Sequence, residues 1–443
     1  MKIRFFSNAA YEITAGKVKI LCDPWFIPGA FDGSWYHWPP LHVRPEDFTD
    51  YTHIYISHIH PDHCDPRSLR RLPNKRIPVI ILKRPEKFLK TKLLSLGYTN
   101  FIELADRESW NLNPETQVTM YQAFDNNVFV RDAEVPNVID SSIVVNCGGE
   151  ILFNANDNVP TDEACREIRE RHGRIHTALL PYSGVGPWPS CYQHLTAEQK
   201  KREAEVKKGK YLRRIVENAK ILRPDLIIPC AGQMILGGRQ AHKNAVLGIP
   251  EPEDSAKLLN AAGFKAMVLE EQDVLDTVSQ ETKEQYLRYH FGSDEDRKKM
   301  REKYLAFISP LPYWWENAFR IPQVEMIELQ PLLQAARDRM WHYQERYHFR
   351  NEWLVAITIQ EMPSSTYFFS FNENGTVHKE NTDDFFANRD YYLRAEMPYA
   401  YLIAVLTKHC HWNNAYHGCH IDWIRQPDIF RPEMQTLMSW FHL

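Results

Sequence analysis

One turn of the chain concentrates side chains that bind metal ions. Residues 53–56 read His-Ile-Tyr-Ile, which is typical of a short strand, and five potential ligands follow them: His58, His60, Asp62, His63 and Asp65. A protein core would not enclose so many polar groups without partners, because each would lose its hydration. Alternation along an extended segment puts His58 and His60 on one side. Asp62 and His63 come just after the turn, where they can face a second ion. The turn therefore predicts a metal site, and two ions are the economical interpretation.

The composition is that of a globular protein, and the net charge gives no sign of a basic surface that would bind nucleic acid. The chain has 443 residues, enough for two or three domains, with 44% apolar and 25% charged residues. Its net charge of −4 offers no basic face for nucleic acid. No apolar run reaches the ~18 residues of a membrane span, and the start of the chain turns polar before a signal-type stretch develops. We interpret the eight scattered cysteines as reduced thiols, and we expect a cytoplasmic protein that acts on a small molecule.

The pattern of strands and helices divides the chain into three parts. We expect a catalytic domain over residues 1–275, a helical connector over 276–345 and a small α+β domain over 346–443, which could also mediate a homodimer. In the first part, residues 142–146 and 151–154 predict a hairpin, residues 195–222 one long helix that is broken or continuous at Gly209, and residues 264–269 a last strand. Residues 372–375 predict a turn in the small domain.

Two ions need more ligands than one turn supplies, and three later residues are the best candidates. Asp157 follows the strand-like residues 151–153, where a carboxylate can bridge two ions; its alternative role is to cap a turn or helix. Asp140 precedes the strand at 142–145 and could reach the ion held by His58 and His60; its alternative is a turn cap, and Asp125 is its rival. The best late histidine is His242, ahead of three weaker ones: His172, His176 and His194.

The segment from His58 to His63 matches the H-x-H-x-D-H motif and resembles the metallo-β-lactamase superfamily. The resemblance covers roughly residues 1–275. It implies an α/β fold, an αββα sandwich with a dinuclear site along one edge of its sheets. It also implies that His58 and His60 hold the first ion, that the second is held by Asp62, His63 and His242, and that Asp157 bridges them.

Four short segments resemble a narrower branch, which contains CMP-N-acetylneuraminate hydroxylase-like proteins: residues 140–142, 154–157, 181–189 and 229–233. The chain departs from that branch in one respect, because it lacks the C-x-H…C-x-x-H spacing of a Rieske cluster. We interpret Cys410-His411 and Cys419-His420 as packing residues, with a minor zinc site as the alternative. The C-terminal part resembles sterol-carrier-like α+β domains.

These features leave two classes of enzyme open. The superfamily usually has a histidine where Asp140 stands, and with Asp140 each ion would have two imidazoles and one terminal carboxylate, the facial set that iron enzymes use for dioxygen. The diiron β-hydroxylases of chloramphenicol biosynthesis resemble this pattern. We therefore favour an O₂-dependent diiron oxygenase in which Asp62 and Asp157 are catalytic, with zinc or manganese as other metals. The alternative is a hydrolase of thioesters, lactones, amides or phosphodiesters that uses ions to lower the pKa of water.

Overall fold

The computed structural model of the chain describes residues 1–124, 139–283, 293–319, 328–372 and 375–443. Within them the strands are β1 (Lys2–Ser7), β2 (Ala10–Ala15), β3 (Val18–Cys22), β4 (Trp35–His37), β5 (His53–Tyr55), β6 (Val79–Leu82), β7 (Phe101–Leu104), β8 (Ser109–Asn111), β9 (Thr116–Gln122), β10 (Ser141–Cys147), β11 (Glu150–Asn154), β12 (Thr177–Pro181), β13 (Leu226–Cys230), β14 (Met234–Leu236), β15 (Val274–Asp276), β16 (Glu281–Lys283), β17 (Leu354–Ile359), β18 (Met362–Ser370), β19 (His378–Asn381), β20 (Tyr392–Met397) and β21 (Asp422–Gln426).

The α-helices of the same residues are α1 (Pro66–Arg71), α2 (Phe88–Ser95), α3 (Asp162–His172), α4 (Ala197–Leu222), α5 (Pro252–Ala261), α6 (Asp294–Ile308), α7 (Trp314–Ala318), α8 (Leu329–Arg346), α9 (Thr382–Ala387), α10 (Tyr399–Leu406), α11 (Trp412–His417) and α12 (Pro432–Met438). Two 3₁₀ segments span Pro45–Asp47 and Gly238–Val246.

Two sheets pack face to face in the first part of the chain. One has the strand order β16-β15-β1-β2-β3-β5-β6-β7, and the other β13-β12-β11-β10-β9-β8. Because side chains alternate along a strand, Ile143 and Val145 of β10 join the apolar cluster between the sheets, which also includes Tyr55 of β5. Val144 faces the other way and packs under α3, α4 and α5, while α1 and α2 cover the outer face of the first sheet. This is the predicted αββα sandwich.

The strand directions bring several chain turns to one edge of the sandwich. β3 and β5 are parallel, so the residues that follow both strands lie side by side. In the second sheet β10 runs antiparallel to β11, with Ile143 opposite Asn154. The start of β10 therefore lies next to the end of β11. The hydroxyl of Ser141 donates to the carbonyl of Ser57 at 2.6 Å, which joins the two sheets at this edge.

Of the local predictions for residues 142–154, 195–222 and 264–269, the first two agree with the structure. The hairpin of β10 and β11 is present. Helix α4 is continuous through Gly209, and the side chain of Thr196 caps its start by accepting from the backbone N–H of Gln199. The prediction of a strand over 264–269 is wrong. Only Ala266 pairs, with Ile227, because the segment touches β13 through two backbone hydrogen bonds and then leaves the sheet.

The C-terminal part forms a third sheet of order β19-β18-β17-β20-β21. Its core continues into the sandwich, since one apolar cluster contains Val355 and Trp412 together with Trp25 and Trp35. The division at residues 275 and 345 stays a prediction, and the predicted turn at 372–375 lies partly outside the described residues. In the part of the chain that the structure describes, no helix is long and apolar enough to cross a membrane.

Candidate metal centre

The turn after β5 carries four of the predicted ligands to the shared edge of the sandwich. The segment ends where α1 begins, because Asp65 caps that helix by accepting from the backbone N–H of Arg67 and Ser68, and Pro66 occupies its first position. Asp65 therefore serves the helix. The other four side chains meet Asp157, which arrives from the end of β11, and form two groups of ligand atoms.

We call the first of these the outer group: His58, His60 and Asp157. Nε2 of His58 lies 2.8 Å from Nδ1 of His60, so the two ring nitrogens converge on one point. Nδ1 of His58, which faces away from that point, lies 2.9 Å from the hydroxyl of Ser57. Burial lowers the pKa of both imidazoles well below its usual range, and the neighbouring histidines lower it further. Both rings are therefore neutral near pH 7 and available as ligands.

We call the second the inner group: Asp62, His63 and Asp157. Nε2 of His63 lies 3.2 Å from carboxylate oxygens of both aspartates, while its Nδ1 lies 2.9 Å from Oδ2 of Asp23. Burial opposes a charge on His63, but Asp62, Asp157 and Asp23 together raise its pKa well above its usual range. The inner group is thus buried and rich in negative charge.

Three residues that the sequence analysis did not single out hold the inner group in place. Asp23 accepts from Ser57 N at 2.8 Å and from Asn156 Nδ2 at 2.6 Å, and Asn8 Nδ2 donates to Asp62 at 3.0 Å. Asn8, Asp23 and Asn156 all have positive φ, at 52°, 42° and 59°. Asn and Asp tolerate that conformation better than other side chains. The signal that could have identified them is an Asn or Asp shortly after a predicted strand.

The donor set fits a bound cation. Nε2 of His63 is buried 3.2 Å from carboxylate oxygens of Asp62 and Asp157, and Oδ1 of Asp62, which is also buried, has no hydrogen-bond partner within the described ranges. A buried polar atom left in that state costs about 1–3 kcal/mol. The carboxylates of Asp23, Asp62 and Asp157 also outnumber the one imidazole whose pKa is raised. A cation between these atoms would give Oδ1 of Asp62 a partner and balance the negative charge of the carboxylates.

Asp140 lies beside the outer group, as the reversed direction of β10 requires. Its Oδ1 is 3.8 Å from Nε2 of His58, the nitrogen that points into the site. Its backbone carbonyl accepts from Arg84 at 2.5 Å. Asp140 belongs to neither three-residue group, but its carboxylate faces the ring nitrogen of His58 that points into the site. Its rival, Asp125, lies outside the described residues.

The structure does not bring His242 to either group, which corrects that expectation. His242 lies in the 3₁₀ segment after β14, where its ring is exposed and its Nδ1 is 2.9 Å from the carbonyl of Arg239. The reason is that β14 pairs with β4, and Asn244 of the following segment hydrogen-bonds back to Leu236 of β14. The weaker candidates have partners elsewhere: His172 contacts Tyr121, His176 accepts from the Ile151 N–H, and His194 faces Asp428.

The C-terminal part supplies two residues that the sequence analysis did not find. Asn413 Nδ2 lies 2.5 Å from Nε2 of His60, and the ring of His417 lies 5.0 Å from the ring of His60. Both belong to α11. No local pattern marks them, because their partner is 353 positions away in the chain.

The cysteine–histidine pairs of the C-terminal part are packed into its interior. Cys410, Cys419 and His420 are buried, and Nε2 of His420 lies 2.8 Å from the carbonyl of Phe31. The candidate ligand groups within the described ranges include none of these residues. Their contacts agree with the interpretation of packing.

Part of the sandwich matches a known protein family. Residues 18–207 match the family described as "Beta-lactamase superfamily domain". The chain is 28% identical over 236 residues to the "Putative Rieske 2Fe-2S iron-sulfur protein" of Mycolicibacterium smegmatis, covering 52% of this chain and 43% of that protein. It is 26% identical over 250 residues to cytidine monophosphate-N-acetylneuraminic acid hydroxylase of Mus musculus, covering 53% and 39%. The chain thus spans less than half the length of these relatives.

Two solved structures illustrate the low level of similarity to known structures. The isothiocyanate hydrolase from Delia radicum gut bacteria is 13% identical with a TM-score of 0.46, covering 62% of this chain and 99% of that one. The diiron β-hydroxylase CmlA of Streptomyces venezuelae is 15% identical with a TM-score of 0.44, covering 62% and 53%. Similarity at this level says nothing about the reaction.

Proposed function

We propose that this chain, whose residues 18–207 match the family described as "Beta-lactamase superfamily domain", is a metal-dependent enzyme with two ions, an O₂-dependent diiron oxygenase that acts on a small molecule or biosynthetic intermediate. One observation carries the proposal. Three imidazoles and three carboxylates meet at one edge of the sandwich: His58, His60, His63, Asp62, Asp140 and Asp157.

Each group of the centre offers ligands for one ion. His58 and His60 present the two neutral nitrogens of the outer group, and Asp157 adds a carboxylate, which together make the two-histidine, one-carboxylate set of non-haem iron enzymes. The inner group adds Asp62 and His63 and shares Asp157. Because His242 is elsewhere, the donor set contains more oxygen than the sequence analysis expected. Oxygen ligands favour iron or manganese over zinc.

The protein's contribution is to hold the ligands and leave one side open. Iron would supply the activation of dioxygen, which no amino-acid side chain provides. Asp23 and Ser57 fix the rings of His63 and His58 through the nitrogens that face away from the site. Such partners set the tautomer and the basicity of a ligand histidine. The carboxylate of Asp157 remains 36% exposed, so a substrate has access to the shared ligand.

Similarity to a hydroxylase supports oxidation as the reaction class. The relatives include cytidine monophosphate-N-acetylneuraminic acid hydroxylases of several mammals, at 25–26% identity over about half of this chain. The substrate of those proteins is not assigned to this one.

Hydrolysis is the second candidate, and the exposure of Asp157 is the observation that favours it. Water can reach the ligand that both groups share, and a hydrolytic site needs an acidified water next to the bound substrate. The substrate would then be a thioester, lactone, amide or phosphodiester.

The test is metal analysis of protein purified without oxygen, joined to Mössbauer spectra and to O₂ uptake in the presence of a reductant. We expect two irons per chain and O₂ consumption that depends on them. The variant His58→Ala should lose iron, whereas His53→Ala should keep it, because His53 lies at the other end of β5 and contacts Thr52. If the protein contains only zinc and turns over ester or thioester substrates at a rate independent of O₂, the oxygenase proposal is wrong and the hydrolase is supported.

A further inference from the structure

The helix α11 brings a second part of the chain into contact with the metal centre. Asn413 Nδ2 lies 2.5 Å from Nε2 of His60, and His417 packs its ring against the same imidazole. Asn413 is thus the group that meets the nitrogen of His60 facing away from the site.

The other two histidines show what such a contact does. Nδ1 of His58 meets the hydroxyl of Ser57, and Nδ1 of His63 meets the carboxylate of Asp23. In both cases the remaining nitrogen points into the site. His60 has the same arrangement with its nitrogens exchanged, since Nδ1 faces His58 and Nε2 faces Asn413. Only this third partner comes from the C-terminal part.

The side-chain amide of Asn413 can hydrogen-bond to a histidine that binds a metal ion. A neutral imidazole that coordinates through Nδ1 carries its proton on Nε2, and that N–H needs an acceptor. The oxygen and nitrogen of an Asn side chain exchange places by a half-turn. Oδ1 of Asn413 can therefore accept from the Nε2–H of His60 when the ion is bound.

The helix that carries Asn413 is itself fixed to the sandwich. Nδ1 of His417 lies 3.0 Å from the carbonyl of Val185, and the indole of Trp35 donates to the carbonyl of His417 at 3.1 Å. Asn414 donates to the carboxylate of Asp32 at 3.3 Å. These contacts hold α11 in position from several sides, so the amide of Asn413 is aimed at His60 before any ion arrives.

We propose that Asn413 is a positioning residue of the metal centre, through which the C-terminal part orients His60 and sets the affinity of the outer group for its ion. The proposal rests on the proposed function, because it requires that the outer group binds a metal. It implies that the C-terminal part is a component of the site.

The experiment is a titration of metal-free protein with Co²⁺, read from the visible absorption of the bound ion, with affinities from competition against a chelator. We expect Asn413→Ala to weaken the outer ion by about 10- to 100-fold, the range for loss of such a partner, and to leave the inner ion unchanged. Asn413→Asp should restore most of the affinity, since a carboxylate accepts from Nε2–H. Asn388→Ala is the matched control, because Asn388 is exposed in the same part of the chain and donates to the backbone carbonyl of Asp384, and the variant should bind like the wild type.

Thermal unfolding of the four metal-free proteins separates positioning from folding. If Asn413→Ala binds Co²⁺ like Asn388→Ala, or weakens both ions equally while lowering the melting temperature, the proposal is wrong. It is also wrong if Asn413→Asp binds no better than Asn413→Ala. A wild-type protein that takes up no metal would overturn the proposed function itself, and this inference with it.

Discussion

The inner and outer groups share Asp157 but are held in different ways. His63 of the inner group is enclosed by the sandwich alone, through Asp23 and the residues that bind Asp23. His60 of the outer group is half-buried and contacts Asn413, which belongs to helix α11 of the C-terminal part. The pKa values follow the same division, since carboxylates raise that of His63 while burial lowers that of His60.

The difference shows that the sandwich positions the inner group, whereas the outer group also needs a contact from the C-terminal part of the chain. The inner group is assembled by strand ends whose order is a property of the sandwich. The outer group is complete only when α11 is in place. Metal affinity at the two positions should therefore respond to different substitutions.

The largest effect is expected from the shared ligand. Asp157→Asn removes a carboxylate from both groups, so both ions should bind more weakly by more than about 100-fold, beyond the loss seen for indirect partners. Metal content by mass spectrometry after dialysis measures it. Asp162→Asn is the control, because Asp162 pairs with Arg214 at 2.8 Å at the start of α3. Loss of a single ion would show that Asp157 serves only one group.

A substitution at Asp23 tests whether the inner group depends on the sandwich alone. Asp23→Asn tolerates the positive φ of this position but weakens the hold on His63, so we expect about 10- to 100-fold weaker binding of the inner ion. The outer ion should be unaffected, which is the reverse of Asn413→Ala. Co²⁺ titration distinguishes the two positions. Equal losses at both would mean that the groups are not separately supported.

The attachment of α11 should depend on pH through Asp32. Burial raises the pKa of this carboxyl from 3.8 to about 6, although Tyr401 and Asn414 donate to it. The folded protein therefore binds more protons than the unfolded chain between those values, and stability falls as pH rises through that window.

Asp32→Asn cannot ionise and should lose this slope. Relative to wild type, the variant should gain about 1–2 kcal/mol between pH 4 and pH 7, a value reduced for partial exposure. Urea unfolding of the metal-free proteins at both pH values measures the difference. A constant difference between variant and wild type would show that Asp32 titrates normally.

The smallest effect is expected at the late histidine. His242→Ala should leave both Co²⁺ affinities within about twofold of wild type, since surface substitutions away from a site change little. The same titration tests it. A loss confined to the inner ion would mean that the segment Gly238–Val246 moves when metal binds and that His242 is a ligand of the second ion, which is the role that the sequence analysis expected for it.

Much of the sandwich was predictable, because its signals are local. The hairpin of β10 and β11, the long helix α4 and the motif from His58 to His63 are all indicated by residues that are neighbours in the chain. The short strands β4, β7 and β8 were not predicted, because three or four residues are too few to show a periodic pattern.

The sequence by itself indicated a metal-binding site, because imidazoles and carboxylates that crowd into one turn after a strand are typical ligands of cations. Only the tertiary structure decided which distant residues complete it. It brought Asp23 and Asp157 to the same edge through strand order, kept His242 exposed, and placed Asn413 against His60. The physical reason is that such contacts join segments far apart in the chain, and packing of whole layers selects them where no local periodicity can.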